Sequence, residues 1–409
     1  MRPPDLRSIL YGGYFSTEFQ SLVLQNTSLC NLDCAYCYLP DRHTRRDMPP
    51  AVARAVAQSI GAQAGAWPVE VAWHAGEPLT MQPSGFRELL DEFEHLRQSG
   101  MVAHRVQTNA TTIDPYWCDL LNAYDVTVGV SVDGPAWANE NRRDRSGRPT
   151  HERTMHGIAT LREAGVRVSA ICVVCPENAG SPGELVDFFD GLGLRWVNFN
   201  LEEREAANLN RTGLSMAAAI DFWRGVIRKK LAGSGLRVRQ LESLLGYLAA
   251  ARFGRKRPWA AAQREPVPSV SWKGDVVLLS PELVDVAAPQ YENFIVGNVL
   301  RQSLPQILAA AGRVRYVAEF VEGLNACREQ CSFFAFCRGA QAGNRYFEHG
   351  TFAATETDHC RNTRQALVVA LASEVGCSDW PDPLGHLERS RSEALEELMM
   401  SALNDLQRT

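Results

Sequence analysis

Apolar positions follow two periods along the first half of the chain. Short runs rich in β-branched residues, "SLVLQNTSL" (21–29), "VEVAWHAGEP" (69–78), "VAHRVQTNAT" (102–111), "VTVGVSVDG" (126–134), "VRVSAICVVC" (166–175) and "LRWVNFNLEE" (194–203), read as strands. Segments with a helical period lie between and after them, at 49–63, 84–100, 114–124, 151–165, 181–193 and 215–233. Several carry proline in the first turn or a closing glycine. Six strand-then-helix units imply a parallel sheet, either open and doubly wound or an incomplete barrel. In such barrels the active site lies at the C-terminal ends of the strands. The unusual sequences fall there: a cysteine loop after strand one, "AGEP" after strand two, "QTNA" after strand three, "SVDG" after strand four and "NFNLEE" at strand six.

The pattern changes near residue 235. "LRVRQLESLLGYLAAARFG" is helical, and "RKRPWAAAQREPVP" is basic, proline-rich and connecting. "SVSWKGDVVLLSPELVDV" (269–286) alternates around Lys-Gly-Asp, a hairpin signal. The division expected is an N-terminal extension (1–19), a barrel (20–235), a helical linker (236–268), a small cysteine-bearing domain (269–375) and a C-terminal helical segment (376–409). The last helix, 390–407, is amphipathic and expected to pack on the core.

Composition narrows the function. The 409 residues carry 42 Lys plus Arg against 47 Asp plus Glu, a net charge of −5, which gives no support to a nucleic-acid surface. No run of about 18 apolar residues predicts a membrane span, and the N-terminus lacks a secretory pattern. A cytoplasmic protein is expected. Eleven cysteines, an odd number without an export signal, favour metal ligation over disulfides. Cys30, Cys34 and Cys37 form C-x3-C-x2-C. Cys327, Cys331, Cys337 and Cys360 form a second group. Cys118, Cys172, Cys175 and Cys377 read as structural, and His74 as a hydrogen-bonded structural histidine.

A structural zinc site takes four protein ligands, and a four-iron cluster takes one per iron. Three thiolates at the end of a first barrel strand leave one iron for a small molecule. With Tyr36 before the last cysteine, the loop resembles that of the radical S-adenosylmethionine (SAM) enzymes. The resemblance implies a partial (β/α)6 TIM-like barrel, a [4Fe-4S] cluster on Cys30, Cys34 and Cys37, and SAM bound at the open iron and cleaved to a 5′-deoxyadenosyl radical. "AGEP" resembles the family's Gly-Gly-Glu-Pro and implies that Ala75, Gly76 and Glu77 meet SAM, although Ala75 departs from the commoner glycine. "QTNA" implies Thr108 and Asn109, "SVDG" implies Ser131 and Asp133, and "NRRDRSG" implies Arg143 as an anion partner.

The segment 327–363, with "VGNV" before it, resembles the auxiliary-cluster domains of the SPASM and twitch types. A full SPASM domain has seven cysteines. This hairpin has Trp272 and Gly274 but no cysteine, and position 341 is glutamine. One auxiliary [4Fe-4S] cluster on Cys327, Cys331, Cys337 and Cys360 is expected, with zinc as the alternative. Within the superfamily the sequence most resembles peptide maturases that form three-residue cyclophanes, joining a side-chain β-carbon to an aromatic ring. That implies a ribosomal precursor peptide as substrate, bound by the barrel or the C-terminal domain. A reductant such as flavodoxin or ferredoxin is implied too. Glu202, Glu203 and Asp144 are the acidic candidates for a base, none of them singled out. The rivals are formylglycine formation of the sulfatase-maturating type, thioether formation, and a zinc-stabilised α/β binding module.

Overall fold

The computed structural model describes residues 11–406 apart from 64, 66, 67, 195, 256–258, 260, 261 and 378–381. The expected extension at 1–19 and the basic connection near 255–268 therefore fall partly outside the described residues.

Six parallel strands follow in sequence order: β1 (Ser21–Leu24), β2 (Val69–Trp73), β3 (Val102–Thr108), β4 (Thr127–Ser131), β5 (Val168–Val174) and β6 (Trp196–Leu201). Helices α1 (Pro50–Gly61), α2 (Pro83–Asp91), α3 (Glu94–Gln98), α4 (Pro115–Ala123), α5 (His151–Glu163), α6 (Pro182–Gly191) and α7 (Met216–Leu231) connect or follow them. Strand order 1-2-3-4-5-6 with helical crossovers is the partial parallel barrel the periodicity implies. The single helix expected at 84–100 is split into α2 and α3.

Side chains on each strand alternate between a helix-facing core and the barrel interior. On β3, Val102, His104, Val106 and Thr108 are buried, whereas Arg105 and Gln107 are half-buried. Trp73 anchors the outer layer. It is fully buried, packs edge-on to Phe86 and Phe93, and donates Nε1–H to His104 Nδ1 at 3.3 Å. Truncating so large a core side chain costs about 3–5 kcal/mol.

The sheet extends past both ends of the expected barrel. β7 (Arg237–Val238) adds parallel to β6 and leads into α8 (Arg239–Arg252). At the other edge β8 (Ser269–Val270) pairs parallel with β1, and β9 (Asp275–Val277) and β10 (Gly297–Asn298) continue antiparallel. The expected hairpin thus lies on the barrel's own sheet, and its turn sits on the same face as the cysteine loop.

Helices α9 (Leu304–Ala310), α10 (Arg315–Gln330), α11 (Ala342–His349) and α12 (Ala366–Glu374) build the C-terminal part. α12 packs on α7, where Glu374 receives Arg224 at 2.7 Å and Arg228 at 2.8 Å. Trp223 Nε1–H donates to the Asn362 carbonyl at 2.9 Å. α13 (Pro383–Arg389) and α14 (Glu393–Leu406) return to α8. Leu395, Leu398 and Met399 are buried there, as the amphipathic pattern implies. Among the described residues no helix is long and apolar enough to cross a membrane.

Candidate active site

Everything at the mouth of the barrel is built around the loop that leaves β1. Gln25 N–H still reaches the Val270 carbonyl of β8 at 3.0 Å, and Asn26–Leu29 then turn away from the sheet rather than prolonging the strand. Asn26 Nδ2–H donates to the Pro78 carbonyl at 3.0 Å, and Ser28 Oγ–H to the Thr44 carbonyl at 2.5 Å. The "AGEP" turn fits beneath. Gly76 has φ +67°, and a Cβ there would lie 2.5 Å from the Thr27 carbonyl oxygen, so only glycine fits. Ala75 adopts φ +74°, a conformation that costs a non-glycine residue about 1 kcal/mol. This strained alanine is where the sequence departs from the family's double glycine.

Glu77 is buried. Its carboxylate accepts from Thr108 Oγ1–H (2.7 Å), Asn109 N–H (2.7 Å) and Leu79 N–H (3.1 Å). Burial pushes its pKa up, and these bonds pull it back. Three of its roughly four acceptor positions are used, leaving one. Asn109 Nδ2–H reaches Asn31 Oδ1 in the cysteine loop at 2.8 Å, so the ends of β2 and β3 clamp that loop. Ser131 is half-buried and accepts from Gln107 Nε2–H at 2.8 Å.

Tyr36 and Asp133 join in a buried chain. The Tyr36 hydroxyl donates to Asp133 Oδ2 at 2.5 Å and accepts from Arg142 Nη1–H at 2.7 Å. Asp133 Oδ1 accepts from Val173 N–H at 2.9 Å. Arg143 is not brought to this site: half-exposed, it pairs with Glu140 and the Gly147 carbonyl. Its neighbour Arg142 is buried instead, and its Nε–H has no hydrogen-bond partner. Periodicity cannot tell which of two adjacent arginines in a loop turns inward.

Cys30, Cys34 and Cys37 are half-buried. Cys30 Sγ accepts from Leu32 N–H at 3.4 Å. Burial pushes the Cys34 thiol up to about 11, with Arg142 opposing. Thiolates there need a positive group, which the irons of a cluster supply; the donor set and the buried Arg142 beside it fit one.

The second cysteine group lines a small cavity of about 20 Å³ with Phe333, Phe334 and Arg345. Cys327 lies in the last turn of α10 and Cys331 caps it, while Cys360 lies in a turn capped by Thr357. Arg338, Gly339 and Ala340 all take positive φ and fold the chain back. Arg345 Nη2–H then donates to Cys327 Sγ at 3.3 Å, and Thr357 N–H to Cys360 Sγ at 3.3 Å. Among the described residues, the only set of three or more metal-type ligand atoms within 4.8 Å of one another is Cys175, Glu177 and Glu202. A tetrahedral zinc with bonds of about 2.3 Å draws its sulfurs to about 3.8 Å apart. Neither cysteine group is that tight. A cubane puts its thiolates on separate irons and does not require so close an approach.

The loop after β6 joins the two groups. Asn208 Nδ2–H donates to the Tyr36 carbonyl at 2.6 Å, and Ala207 N–H to the Tyr38 carbonyl at 3.2 Å. On the other side Asn344 Nδ2–H donates to Glu203 at 2.5 Å and Glu205 at 3.1 Å, and His359 Nδ1 lies 3.3 Å from Glu203. Buried beside Glu203, Glu282 and Glu348, Glu205 has its pKa raised, whereas the His359 charge and the Asn344 bond hold Glu203 down. Glu202 is held by Arg211 and Asp144 by Arg148 and Arg153, so neither carboxylate is free. His74 is half-buried, and its Nε2 lies 3.4 Å from the Tyr38 hydroxyl. Cys118, Cys172 and Cys175 are buried, while Cys377 donates to Ser390 Oγ at 3.0 Å. Asn31, Arg142 and Asn208 carry no sequence signal because single polar residues in irregular segments have no period, and Asn344 is a lone polar position on the short helix α11.

A partial parallel barrel with three cysteines after its first strand, and strand ends that clamp them, defines an enzyme of SAM-dependent radical chemistry. The model of the radical SAM superfamily matches residues 26–189. The chain is 32% identical over 375 residues to the protein sll1766 of a Synechocystis species, covering 87% of this chain and 92% of that one. It is 28% identical over 193 residues to the serine-type anaerobic sulfatase-maturating enzyme of Bacteroides thetaiotaomicron, covering 45% of this chain and 46% of that enzyme, so it matches about half of that relative's length. The structure of anSMEcpe with bound AdoMet superposes with a TM-score of 0.68 at 19% identity, over 93% of this chain and 98% of that one. SuiB of Streptococcus suis bound to precursor peptide SuiA superposes with a TM-score of 0.60 at 16% identity, over 85% and 76%. The chain belongs to the radical SAM superfamily. The cofactors of that superfamily, a SAM-binding [4Fe-4S] cluster and SAM, are accordingly its own.

Proposed function

We propose that this radical SAM maturase acts on a ribosomally made precursor peptide and joins a side-chain β-carbon to a nearby aromatic ring. Cys30, Cys34 and Cys37 hold the SAM-binding cluster in this reading, and Cys327, Cys331, Cys337 and Cys360 hold the auxiliary one. When bound, the first cluster supplies the electron that cleaves SAM, and the auxiliary cluster offers a sink for the electron the ring gives up. Glu77 has one acceptor position left for the SAM amino group. The Ser131 hydroxyl can donate to an anionic oxygen of SAM. The Arg142–Tyr36–Asp133 chain keeps the cysteine loop from moving when the ligand enters. Phe333 and Phe334 beside the second cysteine group exclude water there.

The observation that carries the reading is the loop 203–208, hydrogen-bonded to the first cysteine loop on one side and to the second cysteine region on the other. A substrate at the barrel mouth would lie against both. Peptides bound to superposable folds support the substrate class, and the absence of cysteines from the hairpin at 269–277 supports a single auxiliary cluster. Formylglycine formation stands as the second reading, on the half-length likeness to sulfatase-maturating enzymes. Mass spectrometry after co-expression with candidate short peptides from neighbouring reading frames decides. A loss of two hydrogens mapped to a bond between an aromatic ring and a side-chain carbon is expected; an aldehyde or a new carbon–sulfur bond overturns the proposal.

A further inference from the structure

The barrel is hollow at the end away from the cysteine loop. A cavity of about 1190 Å³ opens among the N-terminal ends of β3–β7 and the start of α8. Small-molecule pockets hold about 300–1,000 Å³, so this volume suits several residues of a chain better than a lone small anion. The cavity climbs the lumen to Arg105, Ser169 and Asn198. Arg105 and Gln107 share the inward face of β3, so the top of the cavity lies one rung below the Gln107–Ser131 hydrogen bond.

Its lining is basic in a protein of net charge −5. Five arginines face two glutamates, Glu70 and Glu242. Arg237 stacks on the Trp196 ring at 3.8 Å and pairs with Glu242 at 3.5 Å. Arg167 pairs with Asp125 at 3.0 Å. Arg162 and Arg239 are exposed at the mouth and make no ion pair among the described residues. Arg105 lies inside. It donates to Ser169 Oγ at 3.4 Å, and burial pulls its pKa down, with Glu70 opposing and Arg239 adding repulsion. A guanidinium desolvated beside one long hydroxyl contact is a costly arrangement that a carboxylate would offset.

We propose that this lumen binds an acidic stretch of the peptide substrate, with carboxylates meeting Arg105 inside and Arg162 and Arg239 at the mouth. The proposal rests on the reading that the substrate is a peptide. β10 and β7 are the two edges of an unclosed sheet, so a chain can pass between the two faces without threading a closed ring.

Fluorescence anisotropy on the anaerobically reconstituted holoenzyme tests it, with fluorescein-labelled hexaglutamate and hexaglutamine as probes. Hexaglutamate should bind at least about tenfold more tightly than hexaglutamine, and Arg105→Gln or Arg239→Gln should each weaken it by about tenfold. Added salt should weaken it as well, and Arg105→Lys should retain most of the binding. Arg239 is exposed, so its variant folds even where Arg105→Gln does not. Equal binding of the two probes, unchanged affinity in both glutamine variants, or displacement by an equal concentration of inorganic pyrophosphate overturns the proposal. The readout needs no turnover. A protein that cross-links its peptide but ignores hexaglutamate sinks the lumen site alone; one that binds hexaglutamate through these arginines but never modifies a peptide sinks the maturase reading alone.

Discussion

The two cysteine regions differ in what the protein leaves open. Cys30, Cys34 and Cys37 sit half-buried on a loop held at its flanks by Asn109, Glu77 and the Arg142–Tyr36–Asp133 chain. In the proposed reading, three thiolates on a four-iron cluster would leave one iron without a protein ligand. Cys327 and Cys360 are buried, and four cysteines line one cavity with Arg345 against a sulfur. Four thiolates close every corner, and N–H donors to sulfur tune the potential of what they enclose. In the proposed reading, one additional ligand separates a site that would bind a substrate from a site that would exchange electrons. The polypeptide controls each by different means: strand ends clamp the first, and a left-handed turn with a buried arginine folds around the second.

The largest effects come from breaking one side of this pair at a time. Cys34→Ala should abolish SAM cleavage and lower the iron content by about four atoms per chain. Cys337→Ala should leave 5′-deoxyadenosine formation intact while cross-linked peptide disappears. Iron analysis and chromatography of both products separate the two variants, and equal loss of SAM cleavage in both would erase the distinction. A smaller effect sharpens the clamp. Arg142→Gln removes the cation from a buried network and should cost about 3 kcal/mol in urea unfolding, whereas Arg143→Gln should stay within about 0.5 kcal/mol. Reversal of that order would put the wrong arginine in the network.

The loop between the regions carries a pH signature. Burial and its acidic neighbours raise the Glu205 pKa above the ordinary 4.5. The folded state therefore holds a proton that the unfolded state loses, and stability falls as pH rises from 4.5 toward the folded value. Glu205→Gln should remove this slope and gain on the wild type steadily as pH rises; denaturant midpoints across pH check it, and parallel curves would contradict it. Smallest is Ala75→Gly, which relieves a positive φ and should stabilise by about 1 kcal/mol in a thermal melt, with no change in SAM cleavage.

The six strand–helix units were legible because a half-buried parallel strand and an amphipathic helix each impose a period on sequence. The cysteine groups were legible by spacing. What escaped was set by long-range contact. β7 is two residues long and has no pattern to read. The pairing of β8 with β1, across about 245 residues, is a tertiary event. Adjacent Arg142 and Arg143 are chemically alike, and only the packing of Tyr36 on Asp133 decides which one turns in. The strand expected through Leu29 stops short because Asn26 and Ser28 are buried polar residues whose side chains bond to other loops, not to a neighbouring strand. The basic lumen is invisible in a net charge of −5, since its arginines come from several different strands and loops.

The central claim is that the N-terminal cluster alone has an open iron. Pulsed electron paramagnetic resonance of the reduced protein, with nitrogen-labelled SAM, tests it in two complementary variants. With Cys327, Cys331, Cys337 and Cys360 replaced by serine, the remaining cluster should show coupling to the SAM amino nitrogen. With Cys30, Cys34 and Cys37 replaced, the auxiliary cluster should show none. Nitrogen coupling at the auxiliary cluster, or its absence at the N-terminal one, would contradict the account.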